Sequence, residues 1–152
     1  MSIARAEREV ALTPEATLRL WTDTARWATF VEGFAHVAER DARWPAEGAR
    51  LVWESVPAGR GRVTEKVVTA PASDRFATRI FEERLVGVQT LRVAESEGGS
   101  WVALSLEYTL TKYGPLSAVA DAIFIRRALR DSLRRTLYRF GVEAEEEAGL
   151  RG

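Results

Sequence analysis

Residues 114–147 read GPLSAVADAIFIRRALRDSLRRTLYRFGVEAEEE, and the rest of the chain is organised around them. Gly114 closes whatever precedes it. Pro115 suits a first helical position, where its missing N–H costs nothing. Apolar residues then recur at helical spacing: Ala118, Ala122, Ile125, Leu129, Leu133, Leu137, Phe140 and Ala144. That is one face of a long helix. The opposite face carries Arg126, Arg127, Arg130, Arg134, Arg135 and Arg139, with Asp121 and Asp131 among them. A solvated face with i,i+4 partners such as Asp131 and Arg135 accounts for these arginines. At a rise of 1.5 Å per residue the helix would run about 45 Å, enough to cross a small domain. From Leu116 to Ile125 it is apolar nearly all round. Packing on one side needs only a stripe, so the surplus asks for a cavity, a partner or deeper burial.

Ahead of this helix the hydrophobic period is two. Val102, Leu104, Leu106, Tyr108 and Leu110 alternate with Ala103, Ser105, Glu107 and Thr109. This predicts a strand over Trp101–Lys112 with one apolar face and one wet face. Further strands are predicted over Phe34–Arg40, Ala49–Val56, Arg62–Ala70, Arg75–Glu82 and Leu85–Glu95. Turn residues separate them: Trp44–Gly48, Pro57–Gly61, Pro71–Asp74 and Ser96–Gly99. Short turns between successive strands imply an antiparallel meander. An additional strand is expected over Ile3–Leu12. Thr13-Pro14-Glu15 then supplies an N-cap, a proline at the first position and an acid in the first turn. Thr22-Asp23-Thr24 breaks that helix and starts a second over Ala25–Val31. The reading is α+β: a curved antiparallel sheet of about seven strands around a long C-terminal helix, with two short helices after the first strand.

Composition narrows the function. The chain has 152 residues, the size of one domain spanning 1–152, with a tail expected to fray from about 148, where acids oppose the helix dipole. Acidic and basic residues balance at 22 each, which disfavours a nucleic-acid binder. There is no cysteine and a single histidine, so neither a thiolate centre nor a multi-histidine metal site is expected, and no cofactor is implied. No stretch is long and apolar enough for an integral membrane segment. The N-terminus lacks the apolar core of a signal peptide, and the expected location is cytoplasmic.

Four segments carry a family likeness: Leu20-Trp21-Thr22-Asp23-Thr24-Ala25-Arg26-Trp27, Gly48-Ala49-Arg50-Leu51-Val52-Trp53, Val67-Val68-Thr69-Ala70-Pro71 and Leu104-Ser105-Leu106-Glu107-Tyr108. With the order of elements, they make the chain resemble the SRPBCC superfamily, also called START-like or Bet v 1-like, and within it the polyketide cyclase/dehydrase and lipid-transport group. The resemblance implies a helix-grip fold with a deep apolar cavity between sheet and helix. It brings no shared catalytic motif.

If a curled sheet and the helix cannot touch everywhere, a gap opens at the wide end. The residues suited to line it are Trp27 and Phe30 from the short helices, Trp53, Phe81, Leu91 and Tyr108 from strands, and Leu116, Ala120, Ile123 and Phe124 from the helix start. Such walls suit a hydrophobic small-molecule ligand such as a lipid, isoprenoid or polyketide-like aromatic. For each of these residues taken singly, plain core packing is the stronger reading. An enzyme of the cyclase/dehydratase kind would need an interior acid/base without metal. His36, Glu54 and Glu65 are the candidates, although strand glutamates mostly face water. A third reading is a protein-interaction module, which requires an exposed apolar patch on the first turns of the last helix. Monomer and homodimer are both compatible with these features. Gly59-Arg60-Gly61 lacks the lysine-serine and helix start of a phosphate loop, and reads as a hairpin.

Overall fold

A computed structural model describes residues 2–111 and 118–151. The elements are β1 (Ser2–Val10), α1 (Pro14–Thr22), a 3-10 turn (Thr24–Arg26), α2 (Trp27–Phe30), β2 (Phe34–Arg40), β3 (Arg50–Ser55), β4 (Arg62–Ala72), β5 (Arg75–Phe81), β6 (Leu85–Ser96), β7 (Gly99–Leu110) and α3 (Ala118–Arg151). The order agrees with the helix-grip expectation. Strand ends differ by a residue or two, and Pro71 falls inside β4 instead of ending it.

The strands form one antiparallel sheet in the order β1-β7-β6-β5-β4-β3-β2. From β2 to β7 each strand pairs with the next, as short turns require. β1 closes the far edge by pairing with β7, Ala4 facing Leu106 and Ala6 facing Leu104. β1 and β2 therefore lie at opposite edges, so α1 and α2 must carry the chain across the sheet's width. Register shifts interrupt β2 between Phe34 and His36 and between Val37 and Glu39, and β4 between Val67 and Thr69 and between Thr69 and Ala72. Such bulges bend a strand and increase its twist, which helps the sheet curve.

The concave face follows the period-two reading. Val102, Leu104, Leu106 and Tyr108 on β7 are buried, as are Leu51 and Trp53 on β3, and Phe76 and Ile80 on β5. α1 begins as its sequence predicts: the backbone N–H of Ala16 donates to Thr13 Oγ1 at 3.3 Å, with Pro14 in the first turn.

α3 packs chiefly along β1 and also meets α2. The close approach to β1 has a local cause. Gly141 sits within the helix, where glycine costs about 1 kcal/mol relative to alanine. A Cβ there would lie 2.4 Å from Arg8 Nε. Without one, Arg8 crosses the helix surface, its guanidinium 5.0 Å from the Tyr138 ring centre and Nη1 donating to the Tyr138 carbonyl at 3.4 Å. The two halves of α3 differ. Leu133, Leu137, Phe140 and Ala144 are buried, whereas Ile125 and Leu129 are only half-buried and Ala122 and Ala128 are exposed.

The helix continues to Arg151, past residue 148, where fraying is expected. Arg26, in the turn before α2, donates to Glu143 at 3.0 Å and to Glu147 at 3.2 Å, and so offsets the acids at the unfavourable end of the dipole. Arg135 pairs directly with Glu32, just after α2, and also feels the charge of Asp131, which lies 3.9 Å from Arg130. No helix among the described residues is long and apolar enough to cross a membrane.

Candidate functional site

The interior has two ends. Beneath α1 and α2 it is an aromatic cluster. Trp21 stacks on Phe30 at 5.4 Å between ring centres, and Phe140 of α3 meets both edge-on at 5.2 and 5.0 Å. Trp27 lies edge-on to Trp44 and Trp53 at 6.1 and 6.4 Å. The polar atoms of these rings are answered locally: Trp27 Nε1 donates to the Trp21 carbonyl at 2.8 Å, and Trp44 Nε1 to the Thr22 carbonyl at 3.0 Å.

The other end is built by the β3–β4 hairpin and the β5–β6 turn, and its chemistry is different. Leu51, Glu65, Ile80, Gly87 and Tyr108 form one cross-strand row from β3 to β7. Val63 and Val67 flank Glu65 on the buried parity of β4, so the glutamate falls on the concave face and is only 4% exposed. Trp53 Nε1 donates to one of its carboxyl oxygens at 2.8 Å and Thr78 Oγ1 to the other at 2.9 Å. Burial pushes the Glu65 pKa above the usual carboxylate range; the hydrogen bonds from Trp53 and Thr78, and the charge of Arg60, oppose that shift without cancelling it. When Glu65 is protonated, the Thr78 hydroxyl can turn and accept, so neither ionisation state strands the pair.

Arg60 completes this end. Its guanidinium carbon lies 5.5 Å from the centre of the Trp53 ring. Its Nε donates to Glu82 Oε2 at 2.5 Å, and the Glu82 side chain is only 5% exposed. The hairpin's shape turns the arginine inward. Ala58 and Gly61 have φ of 66° and 73°, and the Gly61 N–H donates to Ser55 Oγ at 2.7 Å. Arg60 Nη2 is buried and has no hydrogen-bond acceptor among the described residues.

Against the expected lining, Trp27, Phe30, Trp53, Leu91 and Tyr108 are buried on the interior side. Trp27 and Phe30 belong to the aromatic cluster, and Trp53 bridges it to Arg60 and Glu65. Phe81 stands 42% exposed, because Phe76, Thr78 and Ile80 take the inward parity of β5. Ile123 and Phe124 are 50% and 71% exposed, because Ile125 and Leu129 occupy the inward ridge. Leu116 lies outside the described residues, as does the side chain of Ala120. Of the acid/base candidates, Glu65 alone is interior. Glu54 pairs outward with Arg62 at 2.8 Å, and His36, opposite Glu54 across the β2–β3 ladder, is exposed. Among the described residues no group of three or more carboxylates and histidines could hold a metal ion.

Arg60, Thr78 and Glu82 are not among the residues expected from sequence. A signal for two of them exists: Thr78 and Glu82 share the parity of Phe76 and Ile80. Nothing local says that Arg60 folds back. A separate open groove of about 1160 Å³ flanks α1, with Glu15, Arg19, Asp23, Arg26 and Glu95 on its walls. Pro14, Leu18, Leu20 and Pro45 also line it, and it contains none of the residues expected to bind a ligand.

Residues 1–145 match the sequence pattern of the polyketide cyclase / dehydrase and lipid transport family. The chain belongs to this family. No curated protein matches it. Among solved structures, the di-domain aromatase/cyclase StfQ from the steffimycin biosynthetic pathway is similar with a TM-score of 0.76, at 14% identity over 97% of this chain and 51% of its own. A Rhodobacter sphaeroides protein is similar at 22% identity over 93% of this chain and 91% of its own, with a TM-score of 0.68. Truncated norcoclaurine synthase from Thalictrum flavum is similar at 19% identity over 80% and 90%, with a TM-score of 0.59. At these identities the likenesses establish the helix-grip fold and leave the activity of this family member to its own residues.

Proposed function

We propose that the protein binds a hydrophobic small molecule, a lipid, isoprenoid or polyketide-like aromatic, on the concave face of the sheet under the first half of α3. The observation that carries this reading is the contrast along α3. Its second half is packed into the aromatic cluster, and its first half leaves Ile125 and Leu129 half-buried over an apolar sheet face. A helix held less tightly toward one end gives an apolar ligand a place to enter between helix and sheet. Equilibrium titration with a fatty acid, a quinone and a flavonoid tests the reading. Saturable one-to-one binding of at least one is expected, and none binding overturns it.

A second reading is supported by Glu65. A buried carboxyl group with a raised pKa is suited to proton transfer to an enolisable ligand, the step a cyclase or dehydratase needs. On this reading Glu65 is the acid/base and Thr78 and Trp53 hold it in place. Turnover of an enolisable polyketide-like substrate that is lost in Glu65→Gln while binding persists would favour it over simple binding.

A further inference from the structure

The hairpin Pro57–Gly61 puts a charged side chain where a connecting loop has no structural need for one. Arg60, flanked by two glycines, folds over Trp53 with its side chain still 26% exposed, and spends Nε on Glu82. Its Nη2 is buried without an acceptor among the described residues. A buried donor attached to a charged group is among the costlier groups to leave unmatched, and native proteins rarely tolerate one without a reason. The Trp53 ring face answers the positive charge but offers no lone pair.

Local charge decides what kind of acceptor fits. Glu82 already matches the guanidinium, and Glu65 lies near enough to feel it. Two acids thus surround one cation. An anionic ligand head would bring a further acid to a site that already holds two, whereas a neutral oxygen brings none. Neither Trp53 Nε1 nor Thr78 Oγ1 competes for it, since both already donate to Glu65.

We propose that Arg60 is the polar anchor of the ligand site, donating Nη2–H to the carbonyl oxygen of an uncharged, otherwise apolar aromatic ligand that lies against Trp53. This rests on the binding reading above and narrows it to carbonyl compounds. Fatty-acid carboxylates then become poor ligands, and aromatic ketones and quinones good ones.

The test uses three naphthalenes of similar size, titrated into the full chain by calorimetry: 2-acetylnaphthalene with a ketone, 2-ethylnaphthalene with no acceptor, and 2-naphthoate with a negative charge. The wild type should bind the ketone about tenfold or more tighter than the ethyl compound, the advantage expected of a hydrogen bond to a charged donor. Naphthoate should gain no such advantage. Arg60→Met should erase the ketone's advantage and leave the ethyl compound's affinity unchanged. Arg60→Met leaves Glu82 without its cation, so the double variant Arg60→Met with Glu82→Leu, which buries no lone charge, provides the same comparison should the single variant fail to fold. Equal binding of ketone and ethyl compound, or a ketone advantage that survives loss of Arg60, overturns the anchor and leaves hydrophobic binding standing. Tightest binding of naphthoate overturns the assignment to an uncharged ligand. Failure of all three to bind removes the hydrophobic-ligand reading and the anchor with it.

Discussion

Under α1 and α2, the indoles of Trp27 and Trp44 donate to backbone carbonyls and the rings pack edge to face. Under the β3–β4 hairpin, a buried carboxyl group lies near a partly exposed arginine, and the buried Nη2 of that arginine has no acceptor among the described residues. Both ends belong to the same sheet and the same helix-grip fold. The first closes on itself, so its residues are explained by stability alone. The second contains groups that cost free energy to bury and are not fully matched by the chain. Residues of that kind are where function is sought, since a core built only for stability would replace them with apolar side chains.

The sharpest way to test this contrast is to damage the closed end. Phe140 is fully buried between Trp21 and Phe30. Phe140→Ala should lower the unfolding free energy by about 3–5 kcal/mol, measured by urea denaturation. A loss well under 1 kcal/mol would show that the aromatic cluster is loosely packed and that the two ends do not differ as described.

At the open end the expected signature is a pH dependence. The Glu65 pKa is raised in the folded protein, so its contribution to stability is fully present below the ordinary glutamate pKa. It is lost as pH rises from there through the raised folded value. Glu143 has the opposite sign. The Thr29 hydroxyl and Arg26 hold its pKa below the usual range, so its contribution is present at higher pH and is lost as pH falls through the folded value. Glu65→Gln should therefore remove the decline toward neutral and alkaline pH and keep the decline in acid, read from urea midpoints across pH. An unchanged profile in that variant would mean that Glu65 does not feel its burial.

The smallest effect belongs to the far end of α3. Arg26 is partly exposed, so Arg26→Ala should cost only about 1 kcal/mol of global stability. Its local effect should be larger in kind: amide hydrogen exchange in residues 145–151 should quicken, because Glu143 and Glu147 lose the cation that offsets the helix dipole there. Exchange unchanged in that segment would place the helix end's stability elsewhere, in the burial of Ala144.

Much of the fold was legible because its signals are local. The alternation from Val102 to Leu110 depends only on the pleat of one strand, and Thr13-Pro14 starts a helix through its own side chains. The site was less legible. Parity separates Glu65, between Val63 and Val67, from Glu54, yet only the bulges in β2 and the ladder with β3 decide that His36 faces outward with Glu54. Helical spacing brings Ile125 and Leu129 onto the stripe of Leu133 and Phe140, and it says nothing of how far along its length that stripe is covered.

The sequence by itself determined an antiparallel meander, two short helices and a long amphipathic C-terminal helix, because hydrophobic period and turn chemistry act over a few neighbouring residues. The tertiary structure decided which end of the interior closes and which holds charge. That outcome depends on partners far apart in the chain: Phe140 reaching Trp21 and Phe30, Arg26 reaching Glu143, and Arg60 reaching Glu82 across two strands. No local pattern encodes where a side chain finds its opposite charge, since that is set only once the sheet has paired and curled.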